Sequence, residues 1–413
     1  MFGYTLLNIF DGTSTTIFIY LAIFLFPLVI VLYSIPGILL VALRKRLVDR
    51  PDKRKKHKKL IPSFGGLAIF SAVAFVTAFF NVGKYFPNWN YVFAGAFLLF
   101  LTGLKDDVIA ITPRQKFIAQ FVAAFLVAYF ADVRIGNLHG FLGIHDIPLW
   151  LSVALSSFGI VFITNAYNLI DGVDGLCGSL SFVELMALGC YFAYMGDIGF
   201  AMCSFCLAGA ILGFLRHNFY QARIFMGDTG SLVVGFFTAF LCICVVETSG
   251  LHRNGSPLSY YAGKGHLALA LAIVIVPVFD TFRVFATRIM HGSSPFQPDR
   301  RHIHHILLDA GFNSRQICFT LIGVNIVLVA ITVFLVMLDI NPTIIILLLF
   351  FMALGLLLLA LRLRNSVAVK RKKMLLVEES KRSHNIRHGK DGKKVTPISL
   401  EKNIISQQNT PTR

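Results

Sequence analysis

Apolar residues lie in long runs along this chain, and the polar residues are gathered into short stretches between them. A helix needs about 17–25 mostly apolar residues to cross the hydrocarbon core of a bilayer. Runs of this kind predict helices at 17–43, 64–82, 91–104, 116–131, 149–166, 179–195, 198–215, 231–248, 266–283, 316–337 and 343–361. Those at 91–104 and 116–131 are short, so their helices are expected to extend into the flanks. The pattern predicts an all-α fold: a polytopic transmembrane helix bundle of about 11 spans over residues 1–362. A basic tail without apolar periodicity, 363–413, is expected to be cytoplasmic and flexible.

Composition narrows the class. With 56% hydrophobic and 14% charged residues in 413, the chain is neither a soluble globular protein nor a disordered one. The seven cysteines sit in or beside apolar runs, except Cys177, which reads as part of a short loop. Cys203 and Cys206 form their C-x-x-C inside such a run, where packing of buried thiols is the expected role. A formal charge of +17 would raise the question of nucleic acid in a soluble protein. Here it decides orientation, and no nucleic-acid partner is expected. No Lys or Arg precedes Arg44, so the first run reads as a retained helix. With the N-terminus outside, 34 of the 38 Lys and Arg fall on the cytoplasmic side, leaving Lys84, Arg134, Arg253 and Lys264 opposite. The positive-inside bias therefore predicts an N-out, C-in topology.

On that topology four polar clusters share the cytoplasmic face: Lys105-Asp106-Asp107, the run Asn165 to Gly175, Phe225 to Ser231, and Pro298 to His305. One composite site in a cleft at the inner membrane surface is the economical explanation. Asp106, Asp107, Asp171, Asp174 and Asp228 bring up to five carboxylates together, and their mutual repulsion calls for a cation. Oxygen ligands from Asp and Asn suit Mg²⁺, the expected cofactor, with Mn²⁺ as a substitute. Opposite them stand Lys116, Arg300, Arg301, His302, His304 and His305, donors suited to phosphate. Carboxylates with a metal on one side and cations on the other describe phosphoryl transfer between phosphates. The histidines also fit a structural zinc site in isolation, but no Cys lies near them. Elsewhere, His139, His145, His252 and His266 read as outer-face loop or interface residues. Glu184 and Glu247 lack a visible partner, and Asp280 with Arg283 reads as a local ion pair.

These motifs resemble those of the polyprenyl-phosphate N-acetylhexosamine-1-phosphate transferases, of the WecA/TagO type. The likeness covers residues 44–315. It rests on Asp49-Arg50-Pro51 with Arg54 to His57, Ile61 to Gly66, Asp106-Asp107, Asn165 to Gly175, Phe225 to Ser231, and Ser294 to His305. The resemblance implies a bundle of ten or so helices with a shallow cytoplasmic cleft, often dimeric. It implies that Asp228 and Asn168 carry Mg²⁺, and that Asp174, with Asp171, binds the nucleotide while Phe225 stacks on uracil. Lys116 and the His302–His305 cluster would bind phosphates; Asp106 and Asp107 would serve the attacking lipid phosphate. Where many such enzymes extend the aspartate pair to D-D-x-x-D, Ala110 stands here at the third position.

The implied reaction joins N-acetylglucosamine 1-phosphate from UDP-N-acetylglucosamine to undecaprenyl phosphate in a bacterial inner membrane. It releases UMP and primes a cell-surface polysaccharide such as O-antigen, enterobacterial common antigen, capsule or a teichoic-acid linkage. The H-I-H-H form separates the chain from the sister MraY enzymes, which use phospho-MurNAc-pentapeptide; that substrate and other UDP-N-acetylhexosamines stay open. A secondary transporter is the rival class, but transport sites cluster near the midplane, whereas these carboxylates lie at span ends.

Overall fold

The computed structural model describes residues 12–47, 61–86, 88–219, 221–247, 257–294 and 301–387. The chain divides into two units, Met1–Leu361 and Arg362–Arg413. Each of the eleven apolar runs overlaps a helix, and the one at 266–283 is divided between two. In order these are α1 (Gly12–Arg44), α2 (Gly65–Phe79), α3 (Trp89–Val108), α4 (Pro113–Phe125, continued by a π-helical turn Leu126–Phe130), α5 (Leu149–Ile170), α6 (Leu176–Met195), α7 (Ile198–Asn218) and α8 (Gly227–Glu247). Then follow α9 (Pro257–Ile273), α10 (Ile275–Met290), the short α11 (Ile303–Asp309), α12 (Ser314–Met337) and α13 (Pro342–Arg387). Among the described residues seven helices are long and apolar enough to cross a membrane, and the pair α9 and α10 makes an eighth if its two halves form one span. The chain is therefore a multi-pass membrane protein.

Local chemistry sets the ends of several helices. A capping box starts α4, with Thr112 and Gln115 satisfying each other's backbone N–H groups and Pro113 in the first turn; Asn313 and Gln316 do the same for α12. The expected single span at 266–283 is instead bent by 80° at Val274. Pro277 is the cause: it has no N–H to give the carbonyl of Ile273, and its ring crowds that oxygen. The freed carbonyl accepts from Asn325 Nδ2 of α12 at 2.8 Å, which replaces the bond that Pro277 cannot make.

Three features depart from the sequence reading. Between α4 and α5 the all-α pattern admits one antiparallel hairpin, β1 (Asn137–Phe141) with β2 (Ile144–Asp146). Its two-residue turn, Leu142-Gly143, has positive φ at both positions, which suits the twist of a tight hairpin. Next, α13 continues to Arg387 through the polar segment expected to be flexible, because 362–387 contains no Gly or Pro and is rich in Leu, Lys, Arg and Glu. Finally, some residues read as solvated or unpaired lie within the bundle. His266 is buried against the Tyr191 hydroxyl at 3.1 Å, Glu184 accepts from the Tyr167 hydroxyl, and Cys177 is buried on α6.

Helix α8 is the axis of the first unit. Every residue from Thr229 to Val246 is buried, and the helix packs against α2, α3, α5, α6, α7 and α9. Glycines let its neighbours come close: a Cβ at Gly66 would lie 2.1 Å from Gly230 N, and one at Gly103 2.5 Å from Thr229 Cα. The same device joins α7 to α1, where Gly209 and Gly213 face the carbonyls of Phe24 and Leu28 in a small-xxx-small crossing. Gly66→Ala is expected to force α2 off α8 and lower stability by about 1–3 kcal/mol. Gly159→Ala, with nothing within 4 Å of its Cβ, should be neutral or slightly stabilising. Thermal unfolding of the two detergent-purified variants checks this; equal melting temperatures would contradict the crossing.

Candidate active site

The site is built around the first turn of α8. The segment before it runs beside the entry to α2: Phe225 N donates to Pro62 O, while Gly65 N and Gly66 N donate to the carbonyls of Phe225 and Met226, all at 2.9 Å. Gly227 then turns with φ +72°, and a Cβ there would meet Ser63 O at 2.3 Å and the Asp107 carboxylate at 2.6 Å. The N–H groups of a helix's first turn have no partner within the helix. Here Asp107, from the end of α3, supplies one. Its Oδ1 accepts from Asp228 N at 2.8 Å, and its Oδ2 accepts from Thr229 N at 2.9 Å and from the Thr229 hydroxyl. Burial pushes the Asp107 carboxyl up to about 6, against the pull of these hydrogen bonds.

Asp106, one residue earlier, faces differently. Its Oδ1 accepts from Ile111 N at 2.8 Å, which folds the chain between α3 and α4, and its Oδ2 lies 3.3 Å from Lys116 Nζ. Burial, and then the nearness of Asp228, raise its carboxyl above the usual range. Lys116 on α4 reaches three oxygens at once: Asp106 Oδ2, Asn168 Oδ1 at 3.3 Å, and Asp228 Oδ2 in a direct ion pair. Asn168 in turn donates to Asp228 Oδ1 at 2.7 Å and Ser231 Oγ at 3.0 Å. Four helix ends, of α3, α4, α5 and α8, thus meet around one ammonium.

That arrangement bears on the expected metal. Among the described residues no group of three or more His, Cys, Asp or Glu side chains is arranged to hold an ion. Mg²⁺, however, takes one or two carboxylates and completes its shell with water and substrate phosphate oxygens. Asp228, Asp106 and the Asn168 carbonyl are hard oxygen donors already gathered around a cation, the Lys116 ammonium. The donor set fits the ion in chemistry.

The remaining candidates flank this centre. Asp171 follows α5, and burial together with the charges of Asp228, Asp107 and Asp174 pushes its carboxyl up. Asp174 Oδ2 accepts from Ala222 N at 3.3 Å, tying its loop to the one before α8, and the Phe225 ring is half-buried there. On the histidine side, His302 Nδ1 lies 2.8 Å from Asp280 Oδ2. His304 is 1% exposed, with Nε2 2.9 Å from where a Gly172 Cβ would be. Burial, and then His305, push His304 down to about 3, so it is neutral at physiological pH. The rings of His302 and His304 are parallel at 5.7 Å, and His305 lies 4.3 Å from His304. Arg301 is exposed, whereas Arg300 and the motif Asp49 to His57 fall outside the described residues.

Two contributors escaped the sequence reading. Asn218, a lone amide at the end of α7, accepts from Gly175 N at 2.9 Å and donates to Ile224 O at 2.8 Å, clipping two site loops together. Gln120 and Asn165 pair between α4 and α5 beside Lys116 and Asn168. Asn165 belongs to a motif already named; the only signal for Gln120 was an amide in an apolar run one helical turn from Lys116. From this geometry, Asp107→Ala should reduce both transfer activity and thermal stability, the latter by about 0.5–2 kcal/mol for a lost cap. Asp106→Ala should reduce activity with a smaller stability loss. Parallel melting and activity measurements check this, and an unchanged melting temperature in Asp107→Ala would remove the capping role.

Comparison with known proteins now bears on the site. Residues 89–246, which hold Asp106, Asp107, Lys116, Asn168 and Asp228, match the family model for glycosyl transferase family 4. The undecaprenyl-phosphate alpha-N-acetylglucosaminyl 1-phosphate transferase of Escherichia coli (strain K12) is 32% identical over 295 residues, 70% of this chain and 76% of that protein. Its Salmonella typhi counterpart is 32% identical over 282 residues, 67% of this chain and 73% of that protein. A probable undecaprenyl-phosphate N-acetylglucosaminyl 1-phosphate transferase of Bacillus subtilis (strain 168) is 32% identical over 299 residues, 71% and 78% respectively. The chain belongs to glycosyl transferase family 4 and is a membrane-embedded sugar-1-phosphate transferase.

Proposed function

We propose that the protein transfers N-acetylglucosamine 1-phosphate from UDP-N-acetylglucosamine to undecaprenyl phosphate. The products are UMP and undecaprenyl-diphospho-N-acetylglucosamine, the primer of a cell-surface polysaccharide. The observation that carries this reading is the convergence of Asp106, Lys116, Asn168 and Asp228 on one point. The names of the relatives support the sugar and the lipid. The distribution of basic residues supports eleven spans in a bacterial inner membrane, N-out and C-in, with the site in a cleft on the cytoplasmic face. There the soluble sugar nucleotide meets a lipid phosphate held at the bilayer surface.

In this reading an oxygen of the lipid phosphate forms a bond to the sugar-bearing phosphorus. The bond from that phosphorus to the bridging oxygen breaks, and UMP leaves with the electron pair. Asp174 and Asp171 hold the nucleotide, and Phe225 stacks on its base. Lys116, Arg301, His302 and His305 would bind the phosphates, with Arg300 assigned to them from the sequence alone, while neutral His304 packs the cluster against Gly172. Asp228 and Asn168 would hold Mg²⁺, with Asp106 beside them; the ion would neutralise the diphosphate and the charge developing on UMP. Asp106 orients the lipid phosphate and takes its last proton when one is present. That proton is mostly absent at neutral pH, because the second pKa of a phosphate monoester is about 6. Asp107 holds the platform, both its oxygens being engaged with α8. This commitment favours direct attack over a covalent aspartyl intermediate.

Purified protein given labelled UDP-N-acetylglucosamine, undecaprenyl phosphate and Mg²⁺ is expected to form the lipid-linked sugar. EDTA should abolish the reaction reversibly, and Asp228→Ala or Asn168→Ala should slow it by about 10²–10³. Without lipid, labelled UMP should not exchange into UDP-N-acetylglucosamine. Robust lipid-independent exchange would overturn direct attack, and wild-type protein inactive with this donor but active with another UDP-sugar would overturn the sugar assignment. For orientation, single cysteines at positions 228 and 304 in a cysteine-free background should be labelled from the cytoplasmic side, and one at 253 from outside.

A further inference from the structure

Beyond the bend at Val274, α10 carries Asp280 and Arg283 one turn apart. They form the expected ion pair at 2.7 Å, but the pair is not their only engagement. Asp280 is 3% exposed, and its two oxygens divide the work. Oδ2 lies 2.8 Å from His302 Nδ1, while Oδ1 accepts from Ile303 N at 2.9 Å as well as from Arg283. The same Arg283 nitrogen donates to the carbonyl of Arg301 at 2.5 Å. Three consecutive residues of the phosphate-facing segment, Arg301, His302 and Ile303, are thus held from α10 by a backbone oxygen, a ring nitrogen and a backbone nitrogen.

We propose that Asp280 is a positioning residue for the transferase reaction, fixing the proton of His302 on Nδ1 and turning its Nε2 toward the phosphates of the sugar nucleotide. The buried carboxylate, with Arg283 as clamp, sets this geometry. The proposal rests on the assignment of His302 to the phosphates. A carboxylate that accepts Nδ1–H selects one tautomer and one ring plane, which a neutral substitute does not enforce. Ring direction matters here because His302 has a parallel neighbour: a flip would bring its other face and nitrogen against His304, which is itself wedged against Gly172. Asp280 touches no part of the Lys116 centre among the described contacts, so its influence on transfer passes through the histidine segment. Asp280 contacts the titratable His302 and Arg283 and accepts from Ile303 N, and its charge also acts on His304.

The test uses the full-length enzyme in detergent or nanodiscs with Mg²⁺. Asp280→Asn keeps an acceptor for Ile303 N and is expected to fold; Asp280→Glu is the conservative rescue. His302→Ala serves as reference, and the double variant Asp280→Asn/His302→Ala closes the cycle. Asp280→Asn is expected to lower kcat/KM for the UDP-sugar by about 10- to 100-fold, with Asp280→Glu recovering part of the loss. The double variant should be no worse than His302→Ala alone, because Asp280 acts through that ring. Losses that multiply in the double variant, or an Asp280→Asn enzyme within twofold of wild type, would overturn the proposal. A second readout needs no substrate. In protein with ¹⁵N-labelled histidine, the His302 signal, identified by its absence in His302→Gln, should report a protonated Nδ1 in the wild type and a changed pattern in Asp280→Asn. A wild-type His302 carrying its proton on Nε2 alone would also overturn it. If the enzyme uses another sugar nucleotide, the reading under Proposed function fails while the ¹⁵N result still decides this one.

Discussion

A helix that starts inside a membrane protein must find partners for its first N–H groups without water, and an unmade hydrogen bond there costs about 1–3 kcal/mol. In this protein the first turn of α8 is packed against α2 and α3, with Thr229 buried and Asp228 partly exposed. Asp107 answers for the backbone of Asp228 and Thr229, and the glycines at 66, 103 and 230 let α2 and α3 close on the same turn. The cap therefore does more than end a helix. It fixes where Asp228 stands, and Asp228 fixes Lys116 and Asn168. The carboxylate one residue away, Asp106, turns instead to Ile111 N and Lys116, because successive helical side chains point about 100° apart. Two adjacent aspartates thereby serve different partners.

Much of this was legible in the sequence, for a reason particular to lipid. Spanning a bilayer imposes a length and an apolar content, so the eleven runs find their helices. The bend at Val274 was not legible in the same way. Pro277 breaks its helix, yet Pro27 and Pro36 lie inside an unbroken α1. The difference lies with a partner fifty residues away, Asn325, which accepts the break by satisfying Ile273. The site divides similarly. Clusters of Asp, Asn and His announced a composite centre, because such residues are costly to place near hydrocarbon without a use. Which of them meet was hidden: nothing in Asp106-Asp107 separates one carboxylate from its neighbour, and nothing in H-I-H-H says that the middle histidine is buried and neutral while the first is tethered to Asp280. Those distinctions are made by contacts between elements far apart in the chain.

The centre around Lys116 has an electrostatic logic of its own. One ammonium shared by Asp106 and Asp228 leaves a net negative pocket, which by itself repels a diphosphate. Under the proposed reaction the donor enters with a divalent cation, and the lysine's flexible stem lets its charge follow the phosphates rather than the carboxylates. A planar arginine held in a fixed fork would be less able to make that exchange. The oxygens that hold the ammonium in this structure would then be the same ones that receive the metal.

Helix α8 also has a place in time. A chain threaded into a membrane from its N-terminus delivers α2, α3, α5, α6 and α7 before α8 is made, so five of the six helices that pack on α8 precede it. Since every residue from Thr229 to Val246 is covered by protein, this segment finds no home in lipid comparable to the one its neighbours provide. The acidic residue that anchors the chemistry rides on its leading turn. A chain whose assembly stalls earlier carries Asp106 and Lys116 without Asp228 to meet them, so the cluster around Lys116 cannot form before α8 docks.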